Sequence, residues 1–95
     1  MYETFTRDLE ELKRALITAS ERRDERAEFN PESGELEWVI HERRVMLGVT
    51  NRLRAGRGLR PVEEVAIVRA ETSAMGHSDY VQKFALSCAE LVRGA

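Results

Sequence analysis

Hydrophobic residues recur at helical spacing in the first part of the chain, over residues 4–28. Intervals of three and four residues place them on one narrow stripe, which is typical of a coiled-coil-like contact. The stripe consists of Phe5, Leu9, Leu12, Leu16 and Ala19. A charged run over 21–26 follows, with opposite charges three and four residues apart that favour continued helix. The pattern predicts a first helix over 4–28.

A turn at Asn30 and Pro31 precedes a second helix, predicted over 34–55 with Ser33 as its N-cap. At about 100° per residue, its apolar residues cover two adjoining flanks. One flank holds Leu36, Val39, Ile40 and Leu47, and the other holds Trp38, Val45, Met46, Val49 and Leu53. A helix that is apolar on two sides contacts neighbours on both sides, so we expect this helix at the centre of the fold.

A third helix is predicted over 61–75, because Pro61 suits a first helical turn and Gly76 ends the pattern. Residues 65–69 also alternate and are rich in β-branched side chains, which favours a short strand. Helix is the better interpretation, because the chain holds no second strand-like run to pair with it. A fourth helix, predicted over 78–93 with Ser78 as N-cap, carries an apolar face. That face holds Tyr80, Val81, Phe84, Ala85, Cys88, Leu91 and Val92.

These elements predict one all-α domain over 1–95, a compact bundle of three or four helices with the second helix central. An oligomer is also expected, because a short helical domain buries more of its surface by dimerising. The candidate oligomer contacts are Phe5, Leu9, Leu12, Leu16, Trp38, Val45 and Val49. Glu42 lies on an apolar flank, so either that flank is less buried or an arginine reaches it, for instance from a second subunit.

Charge is unevenly distributed along the 95 residues, although the net charge is only −2. Residues 1–37 hold eleven acids and six bases, whereas residues 38–60 hold six arginines and one acid. This balance excludes a uniformly basic nucleic-acid coat and a polyacidic tail. Uncharged stretches reach seven residues at most. A membrane span needs about 20 apolar residues, so none is predicted.

The basic middle of the chain is the clearest functional signal. Arginine and asparagine on one helix face can contact phosphates and base edges. The candidate contacts to nucleic acid or to an acidic partner are Arg44, Asn51, Arg52, Arg54 and Arg57. Against this interpretation, Glu63 and Glu64 open the following helix, the patch lacks aromatic residues, and the acidic first helix can neutralise it.

Candidate catalytic and metal-binding residues are few. His41, His77 and Cys88 show no metal-ligand spacing, and Cys88 fits a small core residue. The contiguous residues 77–79 hold the residue types of a hydrolase triad but cannot adopt its geometry. No paired carboxylates lie within apolar sequence. The sequence therefore predicts no enzyme, no metal site and no cofactor.

Part of the C-terminal third carries a resemblance. The segments 76–86 (GHSDYVQKFAL) and 88–92 (CAELV), with 68–71 (VRAE) upstream, resemble small uncharacterised proteins encoded by actinobacterial phages. The resemblance implies a phage accessory protein that binds a host or phage protein, and it transfers no functional residue. Thirteen arginines against two lysines are in keeping with such a source.

The sequence thus predicts a non-enzymatic, homodimeric interaction protein that binds a host or phage macromolecule. The alternative is a DNA- or RNA-binding regulator that uses the arginine-rich face and loop of residues 41–60. One cysteine and an N-terminus without a secretion pattern predict the cytoplasm, that of the host cell if the protein is phage-encoded. No membrane partner is expected.

Overall fold

The computed structural model describes residues 2–94, with the backbone alone for Tyr2. Its elements are α1 (Tyr2–Ser20), a 3-10 helix (Arg23–Arg26), α2 (Glu37–Ala55), α3 (Glu64–Ala74) and α4 (Tyr80–Val92). The described residues form no β-strand, and one isolated antiparallel bridge joins Phe29 to Leu36. The predicted all-α fold is confirmed, and residues 65–69 are helical.

Helices α2 and α4 form the centre of the fold, because each packs against the three other α-helices of the described chain. Helices α1 and α3 flank this central pair. Helix α1 runs antiparallel to α2, since Asp8 pairs with Arg57 at one end and Arg23 pairs with Glu42 at the other. The second helix is therefore central, as predicted, and shares that position with α4.

Side chains from the four α-helices meet in one core. The largest fully buried apolar residues are Leu12, Leu16, Met46, Ile67 and Phe84. Alanines on the facing sides of α3 and α4 are also buried, and they let these two helices approach closely.

The prediction that Leu12 and Leu16 contact a second subunit is wrong. Neither has any exposed surface in the single chain, so neither is available to a second copy. Phe5 and Leu9 are half-buried and pack against the same core, and Arg93 lies 5.1 Å from the centroid of the Phe5 ring. The stripe of α1 is covered within the chain, because α1 packs against α2 and α4.

The first helix does not extend over the whole of 4–28. The α-helix ends at Ser20. The Arg22 amide then donates to the Ala19 carbonyl at 3.1 Å, which is the three-residue spacing of a 3-10 turn. The charged run continues as the 3-10 helix, and this change of direction brings Arg23 back against α2.

Helix α2 begins at Glu37, and Ser33 is not its N-cap. The Ser33 hydroxyl accepts from the Glu35 amide at 3.2 Å, inside the turn. The side-chain oxygen of Asn30 orders the same turn, accepting from the Glu32 and Ser33 amides at 2.9 and 3.1 Å. These short-range bonds hold the chain in a turn where the sequence predicted the start of a helix.

The last two helices are also shorter than predicted. Helix α3 begins at Glu64, three residues after Pro61. The N-cap of α4 is Asp79 rather than Ser78, because the Asp79 carboxylate accepts from the Gln82 amide at 3.1 Å. A carboxylate at this position also interacts favourably with the positive end of the helix dipole.

Candidate protein-interaction groove

A surface groove of about 510 Å³ runs between α1 and α2. It is lined by Glu11, Arg14, Ala15, Thr18, Ala19, Arg22, Arg26, His41, Val45, Val49 and Arg52. Its volume falls in the range of roughly 300–1,000 Å³ that is typical of ligand sites. We call it the α1/α2 groove.

The floor of the α1/α2 groove is apolar. Ala15 and Ala19 on α1 lie beside Val45 and Val49 on α2, each pair one helical turn apart. Ala19 is buried and the other three are half-buried. The groove exists because these short side chains leave space between two antiparallel helices. Val45 and Val49, both predicted oligomer contacts, thus lie on an open surface of the chain.

The rim of the groove is cationic. Among its described lining residues, Glu11 is the single acid, whereas one is a histidine and four are arginines. The arginines are Arg14, Arg22, Arg26 and Arg52. The groove is therefore locally positive on a chain of net charge −2, and a concave site lined by one sign of charge concentrates ligands of the opposite sign.

Two rim arginines make exposed ion pairs. Arg52 on α2 bonds Glu11 on α1, so this pair connects the two sides of the groove. Arg22 lies 3.9 Å from Glu25, with both side chains about two-thirds exposed. Exposed pairs contribute about 0–1 kcal/mol. A ligand carboxylate can therefore replace either acid without large loss of stability.

Arg14 and Arg26 are exposed, and neither takes part in an ion pair within the described residues. His41 lies half-buried on the α2 side of the groove. Sequence reasoning missed Arg14, Arg22 and Arg26 as site residues, because their helical pattern alone does not show that they lie beside α2.

A buried ion pair joins the 3-10 helix to α2. The Glu42 carboxylate is 1% exposed. It accepts from Nε and Nη2 of Arg23 at 2.8 and 3.0 Å. This hydrogen bonding raises the pKa of the Arg23 guanidinium, which also lies 4.0 Å over the Trp38 ring centroid. The arginine expected near Glu42 comes from within the chain, and it covers one face of Trp38, a predicted oligomer contact.

This pair has a consequence for the groove. Arg22 and Arg26 flank Arg23 in the sequence, and both line the groove. Because Arg23 is bonded to a buried carboxylate on α2, the 3-10 helix is fixed against that helix. The Arg23–Glu42 pair therefore positions the basic end of the groove.

A second buried carboxylate lies on α3. Glu71 is 4% exposed, and its Oε1 lies 2.8 Å from Nη2 of Arg43, which also pairs with Glu35 at 2.6 Å. Burial, followed by the charges of Glu71 and Glu42, raises the pKa of Tyr80 to about 12. The sequence did not show these carboxylates as neighbours because they lie on different helices. Each is bonded to an arginine, so the two ion pairs connect the 3-10 helix to α2 and α2 to α3.

Asn51 and Arg54, two of the predicted nucleic-acid contacts, bond the backbone instead. Asn51 donates to the Val62 carbonyl at 3.1 Å and accepts from the Val62 amide at 2.7 Å. Arg54 donates to the Arg60 carbonyl at 2.7 Å and also to the Leu91 carbonyl. Both side chains hold the connection between α2 and α3 in place.

The remaining predicted contacts are dispersed. Nη2 of Arg57 lies 2.6 Å from the buried carboxylate of Asp8. Arg52 belongs to the groove, and Arg44 is exposed outside it. The structure thus places one of the five predicted residues in the candidate site, and it uses the polar groups of three others to join elements of the fold.

Cys88 is a core residue, as predicted. Its side chain has no exposed surface, and burial raises the pKa of the thiol to about 12. Over the described residues, no group of three or more histidine, cysteine, aspartate or glutamate side chains could hold a metal ion.

Residues 2–94 contain no helix that is both long and apolar enough to cross a membrane. Comparisons with protein-family models, curated proteins and solved structures give no match to this chain. The resemblance to actinobacterial phage proteins therefore stays a prediction.

Proposed function

We propose that this protein is a non-enzymatic interaction protein that binds an acidic segment of a partner protein in the α1/α2 groove. One observation carries the proposal: four arginines and a histidine surround an apolar floor, with one acid among the described lining residues. Removal of an apolar floor from water on binding contributes a favourable free energy of about 25 cal/mol per Å². Surrounding charges provide specificity and rapid association with a partner of opposite charge. The phage accessory role stays part of this proposal.

Binding to nucleic acid has less support. Asn51, Arg54 and Arg57 each bond another part of the chain. Single strands bind proteins largely by stacking their bases on aromatic side chains, and the described groove lining contains no aromatic residue. The groove is also apolar at its base, whereas a duplex presents charged phosphates.

A second copy of the chain is the other occupant to consider. Of the predicted oligomer contacts, Val45 and Val49 lie in the groove. A homodimer built on these two predicted contacts would use the groove itself, and variants of the rim would dissociate it. Light scattering coupled to size exclusion separates this case from binding to another protein.

Fluorescence anisotropy tests the proposal with two labelled probes, a glutamate-rich peptide with interspersed leucines and a short DNA duplex. The test variant is Arg14→Glu with Arg26→Glu, and the matched control is Arg44→Glu with Arg69→Glu, which reverses two exposed arginines outside the groove. We expect the test variant to lose about tenfold or more in peptide affinity, since 1.4 kcal/mol corresponds to tenfold. Equal loss in the control, or duplex binding that exceeds peptide binding, would overturn the proposal.

A further inference from the structure

We infer that the α1/α2 groove accepts one amphipathic α-helix of a partner protein, with acidic residues on both sides of its apolar stripe. This inference rests on the proposed function and adds the conformation and charge pattern of the bound segment. Three features of the groove support it: the backbone that forms its walls, its length and floor, and the placement of its charges.

The walls of the groove are two helices whose backbone groups are bonded internally. An extended peptide gains affinity by pairing its main chain with an open sheet edge, and the described residues form no strand that offers one. An extended segment in this groove would lose hydration of its amides without replacement. A helix satisfies its own amides and carbonyls, so it can enter the groove without this penalty.

The length and floor of the groove also suit a helix. Its lining extends from Glu11 to Ala19 along α1 and from His41 to Arg52 along α2, with Arg22 and Arg26 beyond the end of α1. At 1.5 Å per residue, the α1 wall is roughly 12 Å long and the α2 wall roughly 17 Å, or about two to three helical turns. Alanine and valine on the floor allow close approach, in keeping with the 8–10 Å separation typical of packed helices. A bound helix would complete a three-helix arrangement with α1 and α2.

Cations lie on both sides of the floor, and this placement specifies where the partner carries its acids. Arg14 lies on α1 with Arg22 just beyond its end, and Arg52 lies on α2. A helix seated between them would need acidic residues on each border of its apolar stripe. A helix with acids on one border would leave one row of cations without partners.

Glu11 acts as a competitor inside the groove, because it occupies Arg52. A partner carboxylate that binds Arg52 must displace Glu11. Glu11→Gln should therefore raise the affinity for an acidic helix, by about threefold to tenfold if one exposed ion pair is exchanged. The matched control is Glu10→Gln, which removes the neighbouring acid that pairs with Lys13 at 3.8 Å outside the groove.

Two peptides of equal composition test this inference by titration calorimetry. In the first, leucines and alanines recur at helical spacing with glutamates on both borders of the stripe. In the second, the order is rearranged so that no apolar stripe forms. Each peptide contains one proline, which stands at the first helical turn of the first peptide and in the middle of the second. We expect the first peptide to bind at least about tenfold more tightly. It should bind Glu11→Gln more tightly still and lose affinity for Arg14→Glu with Arg26→Glu.

The remaining outcomes separate the two proposals. Equal binding of both peptides, with loss in the groove variant, would leave the acidic-segment proposal standing and overturn the helical inference. Absence of binding by either peptide, or binding of DNA in their place, would overturn both. A dimer that the groove variant dissociates would make a second copy the occupant and overturn the partner helix. Each substitution changes an exposed or half-buried side chain, and circular dichroism checks that the fold is retained.

Discussion

Arg23 donates two hydrogen bonds to the buried carboxylate of Glu42, across a separation of 19 residues in the chain. The pair explains how an acid can lie on the apolar flank of α2. It requires that the chain turn after Ser20 instead of continuing as a straight charged helix. One interaction thus satisfies a buried charge and fixes the segment that carries Arg22 and Arg26.

Removal of Arg23 should destabilise the protein strongly. Arg23→Ala leaves the Glu42 carboxylate buried without its partner, and breaking such a pair from one side costs about 3–5 kcal/mol. The Arg23 side chain is 38% exposed, so we expect the lower end of that range. Urea unfolding measures the free energy. Arg22→Ala is the matched control, and its loose exposed pair predicts a change below about 0.5 kcal/mol. Equal effects of the two substitutions would contradict the stabilising role of the Arg23–Glu42 pair.

Stability should fall as the pH rises above about 9. Cys88 and Tyr80 have pKa values raised to about 12 by burial, whereas the unfolded groups titrate near 8.5 and 10. Above those values the unfolded chain releases protons that the folded chain retains, so each group lowers the free energy of unfolding by up to about 1.4 kcal/mol per pH unit. Their contribution is complete below pH about 8.5 and is lost towards pH 12.

Two variants test how much Cys88 and Tyr80 each contribute to the loss of stability at alkaline pH. Cys88→Ala should flatten the decline of stability between pH 9 and 11, and Tyr80→Phe should flatten it above pH 10, as measured by urea unfolding across the range. Tyr80 is half-buried, so solvent screening makes its share the smaller one. An unchanged slope in Cys88→Ala would show that the thiol ionises in the folded protein.

The α1 stripe should act in folding and not in assembly. Leu12→Ala removes a fully buried side chain and should cost about 2–5 kcal/mol. Ile17→Ala, on the same helix at 45% exposure, should cost under about 1 kcal/mol. Thermal unfolding compares the two variants, and light scattering should give both the mass of the parent protein. A change of oligomeric state in folded Leu12→Ala would show that the α1 stripe is a subunit contact after all.

Asn51 should affect stability without affecting binding. Asn51→Ala removes both hydrogen bonds to Val62 and leaves the Val62 backbone groups less well paired, at a cost of about 1–3 kcal/mol. Arg44→Ala, an exposed neighbour on α2, should be nearly neutral. Neither substitution should change the affinity for an acidic peptide. Loss of peptide binding in folded Asn51→Ala would indicate that the peptide binds at the predicted nucleic-acid contacts instead of in the α1/α2 groove.

The helices could be predicted from the sequence because their apolar positions recur at 3.6-residue spacing. The need of Glu42 for an arginine was also visible, since an acid on an apolar flank requires a partner. Which arginine supplies it was not visible. Arg23 lies in a charged run that resembles a continued helix, and its bond to Glu42 depends on a change of chain direction set by tertiary contacts.

The groove could not be predicted from single helices. Val45, Val49 and Arg52 were all identified from α2, but as parts of two different surfaces. Their common surface depends on the α1 residues opposite them, such as Ala15 and Arg14. Helical periodicity gives the faces of each helix, and it does not give the register in which two antiparallel helices meet.

A nuclear magnetic resonance titration of the isotope-labelled protein with the acidic amphipathic peptide tests whether the α1/α2 groove is the binding surface. Backbone amide shifts locate the bound surface residue by residue. We predict that the largest changes fall within 11–26 and 41–52, on both walls of the α1/α2 groove. Changes concentrated in the 54–60 loop or on α3 and α4, with the groove unaffected, would contradict binding in the α1/α2 groove.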